Sequence, residues 1–356
     1  MSRREEHEAY LRSILSQSLS SENPSPETIA KAYKDSPSYF MEFKKDLLNK
    51  YAGKSILDIP GSAIVENKYG ECLKVIYKEK INFKLQNRNI KEDILSDFKI
   101  LPGVGVNKES KLKAEGYKTL YDLLEHATYS TKAEEIINSI ENQCFINYYE
   151  KLNEISSYSK KSKSNLIKSA SILNETNFKF IDIETVGLSS NVPVILIGVA
   201  EIKGKYIITH QYQARNYHEE IAILEEYFSH LNQSSVHVTY NGSTFDIPFI
   251  KARANYYRME KEKIKLMNLT HYDLIKFTRA LWKDKLPNCK LTTIEDYLNI
   301  PRDDDDVNGA YMADYFNTYL KEQNIGPLIP ILKHNCRDIM SLATFLMRIY
   351  EEVCNE

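Results

Sequence analysis

Cysteine is scarce in this chain and scattered: Cys72, Cys144, Cys289, Cys336 and Cys354 stand far apart, with no CxxC pair. An odd, dispersed set argues against a disulfide framework and against a zinc site. No apolar run approaches the roughly 18–20 residues that cross a bilayer, so no membrane span or membrane partner is expected. The first residues, "MSRREEHEAYLRSIL", lack the apolar stretch and small-residue cleavage site of a signal peptide, and a cytoplasmic protein is expected. Charge of one sign is missing too. The 47 basic residues stand against 49 acidic ones, a net charge of -2, so any nucleic-acid surface must be local. There is no repeat of fixed period, and nothing identifies a protein partner.

What is present fits two soluble units. The 356 residues leave room for two domains on a prior of about 150 residues each. The stretch "SSYSKKSKSNLIKSAS", residues 156–171, is rich in serine and lysine and reads as a solvated linker. The expected division is an α+β region over 1–90, a helix-hairpin-helix-like module over 91–150, a linker over 151–176 and a larger α/β domain over 177–356. Within the first region, residues 1–50 look helical and "GECLKVIYKEKINFKL" reads as a hairpin or strand pair.

After the linker the pattern is orderly. "FKFIDIET" reads as a strand, and "VPVILIGVAEI" and "YIITHQYQA" as a hairpin turned at "KGK". Residues 218–231 place Ile221, Leu224, Phe228 and Leu231 at helical spacing. "SVHVTYN" is strand-like, "FDIPFIKARANYY" opens a helix, "NLTHYDL" is a short strand before helical material, and a last helix runs from about Pro330 to Tyr350. Such an order predicts a layered α/β domain on a mixed sheet flanked by helices.

Two carboxylates stand in the first of these strands. Strand side chains alternate, so Asp182 and Glu184 share a face. Asp246 lies just beyond a later strand, at a helix start, and His334 and Asp338 lie four apart on the last helix. Taken singly, each has an ordinary reading: a solvent-facing strand edge, an acid at a helix N-terminus, a surface histidine. Brought together, four carboxylates could not all stay ionised without counter-charge. Two hard divalent cations, Mg²⁺ or Mn²⁺, would supply it, in an arrangement suited to phosphodiester hydrolysis. Asp273, at another strand end, reads as a supporting or structural acid.

"DIET", "YNGSTFDIPFI" and "HNCRD" resemble, in order, the three exonuclease motifs of the DEDD superfamily within the ribonuclease H-like fold, and in particular its YprB-like branch. "HYDLIKFTRALW", "LTTIEDYLNIPR" and "VNGA" look like connecting elements of that branch, so the resemblance spans about residues 177–350. It implies a 3′–5′ exonuclease in which Asp182 bridges two metal ions, Glu184 and Asp338 complete one shell, Asp246 serves the other, and His334 is general base. One departure is that the histidine stands at HxxxD spacing, where the superfamily has YxxxD or HxxxxD. Thr185, Asn241 and Phe245 would contact the terminal nucleotide.

Upstream, "FKILPGVGVNKESKLKAEGYKTLYDLLE" looks like a helix-hairpin-helix. Gly103 and Gly105 would offer backbone N–H groups to phosphate, and Lys108 and Lys111 would add charge. The alternative is a plain turn between core helices. Modules of this kind more often serve DNA, which favours DNA over RNA as substrate. A non-catalytic nucleic-acid-binding protein on the same fold, or an RNA-directed or endonucleolytic enzyme, is the competing expectation.

Overall fold

A computed structural model describes residues 36–85, 90–141, 165–301 and 307–355. At its centre is a seven-stranded sheet. The strands are β1 (Ser62–Asn67), β2 (Gly70–Lys80), β3 (Phe178–Thr185), β4 (Val194–Lys203), β5 (Tyr206–Gln213), β6 (Val236–Thr239) and β7 (His271–Asp273). Their order is β1-β2-β5-β4-β3-β6-β7. β3 pairs antiparallel with β4 and parallel with β6, and β6 runs parallel to β7. The remaining neighbours are antiparallel. The sheet is therefore mixed, as expected.

Helices cover both faces, which explains why β3 and β4 read as nearly continuous apolar runs. On one face α5 (Glu220–Ser229) and α6 (Asp246–Tyr256) pack Ala222, Ile223, Phe228, Phe249 and Ile250 against Ile181, Ile183, Ile197 and Val199. On the other, the long α11 (Leu328–Asn355) packs Ile339, Leu342, Leu346 and Ile349 against Phe178, Phe180 and Ala200. Its first turns join α1 (Pro37–Lys50) and α10 (Met312–Glu322) over Leu73, Val75, Ile195 and Leu196. Smaller α-helices among the described residues are α2 (Ile90–Leu95), α3 (Val106–Ala114), α4 (Ser130–Glu141), α7 (Lys261–Lys265), α8 (Leu274–Trp282) and α9 (Leu291–Tyr297). No described helix is long and apolar enough to cross a membrane.

Three local expectations are corrected. The stretch from Gly70 is one strand, not a hairpin in itself; its hairpin partner is β1, upstream, and β2 also pairs along β5. Residues of the first 90 thus extend the same sheet as the C-terminal region. Second, the far end of the supposed linker is core: Leu166, Ile167 and Ala170 are buried, and the Ser169 hydroxyl lies 2.7 Å from that of Tyr272. Short apolar residues among serines and lysines hid this. Residues 151–164 of that stretch lie outside the described residues, as do 142–150, and 1–35 of the expected N-terminal helices. Third, "YKTLYDLL" returns through a 3₁₀ turn, Asp122–Glu125, rather than a regular helix.

A histidine sits deep in the parallel part of the sheet. His237 on β6 is fully buried, and neither ring nitrogen has a partner among the described residues. Burial pushes its pKa down to about 3 from an ordinary 6.5, so the ring is held neutral. A histidine buried neutral leaves the fold unpenalised above pH 6.5, and stability is lost as pH falls from there towards about 3, because the unfolded chain takes up the proton first. His237→Leu is expected to flatten the fall in stability across this window, read from urea denaturation midpoints at stepped pH. Parallel curves for variant and wild type would exclude the histidine as a source of acid sensitivity.

Candidate active site

β3 and β6 are in register only through Phe180 and Val238. Beyond that pair a crevice opens at the carboxyl ends of the two strands, the usual place for a site in sheets of this kind. Asp246, the first residue of α6, fills its floor: its Oδ1 accepts from the Ile183 backbone N–H at 3.2 Å, between Asp182 and Glu184 in sequence. The helix N-terminus favours the negative charge.

The turn that delivers Asp246 is tightly specified. Asn241 has φ 65, a left-handed conformation that asparagine tolerates. Asp273 at the end of β7 accepts from Asn241 N at 2.7 Å, Ser243 N at 3.1 Å and Ser243 Oγ at 2.5 Å. Asp273, buried at 1% exposure, is therefore a structural acid that shapes the loop. At Gly242 an added Cβ would lie 2.4 Å from Thr239 Oγ1, so the turn closes only with glycine there.

From the other side α11 contributes His334, Asn335 and Asp338. His334 Nε2 lies 3.6 Å from Asp338 Oδ2, one helical turn on. Asn335 makes the helix–sheet connection. Its Nδ2 donates to Asp182 Oδ2 at 2.8 Å and to the Asp182 carbonyl at 3.0 Å. Its Oδ1 accepts from Gln211 Nε2 at 2.8 Å, and the same nitrogen lies 2.8 Å from the Leu332 carbonyl. Asp182, Gly198 and Gln211 lie side by side across β3, β4 and β5. Asn335 sits over the missing side chain of Gly198, where a Cβ would come within 2.2 Å of both its Oδ1 and Ile339 Cδ1.

The electrostatics follow from this crowding. Burial raises the Asp182 pKa well above the carboxylate range, and the charges of Glu184, Asp246 and Asp338 raise it further, with His334 opposing. Asp246 is pushed up to about 7, again first by burial, with its own N–H and that of Ile183 pulling the other way and Asp273 and Asp338 adding to the rise. The other three candidate carboxylates are thus near enough to be felt at Asp182. Glu184 is buried, Asp182 and Asp338 half-buried.

The other predicted residues are placed as follows. Thr185 lies at a bulge ending β3, its hydroxyl donating to the Gly187 carbonyl at 2.6 Å. Phe245, half-buried, packs its ring 5.4 Å from Phe249. In the upstream module Gly103 has φ 78 and Gly105 caps α3. Both are exposed, as are Lys108, which donates to the Gly103 carbonyl at 3.0 Å, and Lys111, 3.9 Å from Glu115. Sequence reasoning passed over Asn335, Gln211 and Gly198. A glycine inside an apolar strand signals close approach of another element, and glutamines at inward positions of "YIITHQYQA" signal a buried polar contact.

The donor set suits a hard divalent cation: four oxygen-bearing acids whose mutual repulsion a cation would relieve. Among the described residues, however, no group of three or more histidine, cysteine, aspartate or glutamate side chains is already arranged to hold a metal ion. The chemistry of the set fits such a cation.

Residues 179–350 match the sequence model of the RNase H superfamily, and this agrees with the mixed sheet flanked by helices. Over that span the chain is similar to RNase H-superfamily domains. Among individual proteins, the chain is 31% identical over 193 residues to the uncharacterized protein YprB of Bacillus subtilis (strain 168), covering 53% of this chain and 45% of that one. It thus spans less than half the length of this relative.

Gly198→Ala tests the helix–sheet contact. Overpacking at a site this tight costs about 1–3 kcal/mol, so that loss is expected in chemical denaturation. Unchanged stability would mean that α11 can lift from the sheet at no cost.

Proposed function

We propose that the protein is a cytoplasmic, two-metal-dependent 3′–5′ exonuclease that removes nucleotides from single-stranded DNA ends in preference to RNA. The observation that carries this reading is the gathering of Asp182, Glu184, Asp246 and Asp338, from one strand and two helices, into one crevice where the last three all raise the charge burden at Asp182. Asp182, Glu184 and Asp338 would hold one Mg²⁺ or Mn²⁺, and Asp182 with Asp246 the other. Bound there, such ions supply an activated water and stabilise the leaving oxygen.

The protein's own groups do the rest. Asn335, itself held by Gln211, fixes the rotamer of Asp182. His334 takes the proton of the attacking water at Nε2, and Asp338, 3.6 Å away, stabilises the resulting imidazolium. The partly exposed Phe245 ring offers a stacking surface for the terminal base, with Thr185 and Asn241 beside it. The exposed turn at Gly103 and Gly105, with Lys108 and Lys111, grips the backbone at a distance without reading sequence. The preference for DNA rests on that module.

Oligonucleotides of DNA and of RNA, labelled at the 5′ end, provide the test in Mg²⁺, Mn²⁺ and EDTA. A ladder shortening from the 3′ end is expected with metal only, faster on DNA. Asp182→Ala should slow it by at least about a hundredfold, the scale on which loss of a transition-state contact slows enzymes. Products of internal cleavage, or hydrolysis persisting in EDTA, would overturn the reading.

A further inference from the structure

A groove of about 840 Å³ opens beside the carboxylate crevice, lined among others by Tyr240, Asn241, Arg279, Lys283, Cys289 and Lys290. It begins at Asn241, in the turn that delivers Asp246. Its far wall is the end of α8 and the segment that follows. α8 turns Leu274, Ile275, Phe277, Thr278 and Trp282 into the protein and leaves Arg279 exposed. The wall is held in place at both ends. Trp282 Nε1 donates to Glu352 on α11 at 2.7 Å, and the Tyr240 hydroxyl donates to the Cys289 carbonyl at 2.7 Å.

Three cations, Arg279, Lys283 and Lys290, lie in this groove. Arg279, Lys283 and Lys290 are exposed and make no ion pair with any described residue, whereas Lys285 beside them bonds Glu352. No acidic residue lines the groove among the described residues. Three cations without an ion-pair partner among the described residues share one channel in a chain whose net charge is -2. Ile275, Leu286, Pro287 and Leu291 add apolar surface between them. Lysines on an ordinary solvated face need neither a shared concavity nor a fixed wall.

We propose that this groove is the track for the sugar–phosphate backbone of a single nucleic-acid strand whose end lies in the carboxylate crevice. Arg279, Lys283 and Lys290 contact successive phosphates, and the apolar stretch carries sugars and base faces. The assignment of the end to the crevice rests on the nuclease reading; the binding of the strand does not.

The test is equilibrium binding of fluorescein-labelled (dT)12 and (U)12 in EDTA over a series of salt concentrations, with wild type, Asp182→Ala and the triple variant Arg279→Gln/Lys283→Gln/Lys290→Gln. Wild type sets the reference affinity and salt slope, and Asp182→Ala, which removes an acid from the crevice, should bind no more weakly. The triple variant should bind at least about tenfold more weakly at low salt, with a log–log slope shallower by about 2, since each phosphate contact on a single strand contributes about 0.7. The three single variants, at exposed positions, should each give a fraction of that change if the triple fails to fold. Binding of either oligomer on these terms supports the track, and comparison of the two reports the sugar it accepts. An unchanged slope in the triple variant, no binding by wild type, or equal competition by polyglutamate would overturn it. Unchanged binding with intact metal-dependent hydrolysis sinks the track alone. Binding lost in the triple variant, with no hydrolysis by wild type under any metal, sinks the nuclease reading alone.

Discussion

The long last helix can reach the sheet only because one strand position has no side chain. Gly198 lies between Asp182 and Gln211 in the middle of the sheet, and Asn335 occupies the space above it. Through that contact the helix is fixed in rotation as well as distance, since Asn335 bonds an acid on one side and an amide on the other. Rotation is what matters for the residues around it. His334 and Asp338 are displaced from Asn335 along the same helix, so the bond that seats Asn335 also determines where they stand relative to β3. A methyl group at position 198 would press on Asn335 and on Ile339, the core residue one turn beyond.

The second organising constraint is charge. Buried carboxylates repel, and here burial and mutual repulsion both raise the pKa of Asp182. The fold accepts this because these acids are anchored by backbone or side-chain donors: Ile183 N–H on Asp246, Asn335 on Asp182, and for the supporting Asp273 the N–H groups of a tight turn. Three positive charges line the groove past Asn241. A chain close to neutral overall thus places acids in the crevice and cations in the groove beside it.

The elements most readable in the sequence were those whose pattern is local. β4 and β5 announced themselves by apolar runs about a "KGK" turn, α5 by its helical spacing, and α6 by an acid at its start; the structure places each close to where the pattern put it. The four acids were legible as residue types and as motifs in order. What was not legible depended on partners distant in sequence. The pairing of β2 with β5 joins residues more than 120 apart, so nothing near Gly70 could reveal it. Leu166 and Ile167 looked solvated among lysines until a core formed around them. Asp273 could be read as a supporting or structural acid, and only the folded turn shows which N–H groups it serves.

By itself, then, the sequence determined the alternation of strands and helices, the layered class of fold and the identity of the acids, because side-chain periodicity and turn chemistry act over a few residues. Only the tertiary structure decided that the N-terminal hairpin extends the C-terminal sheet, that Asn335 and Gln211 hold Asp182 across Gly198, and that three cations line one groove. Those arrangements rest on contacts between segments far apart in the chain, whose approach is set by the packing of whole elements and by which side chains are absent where they meet.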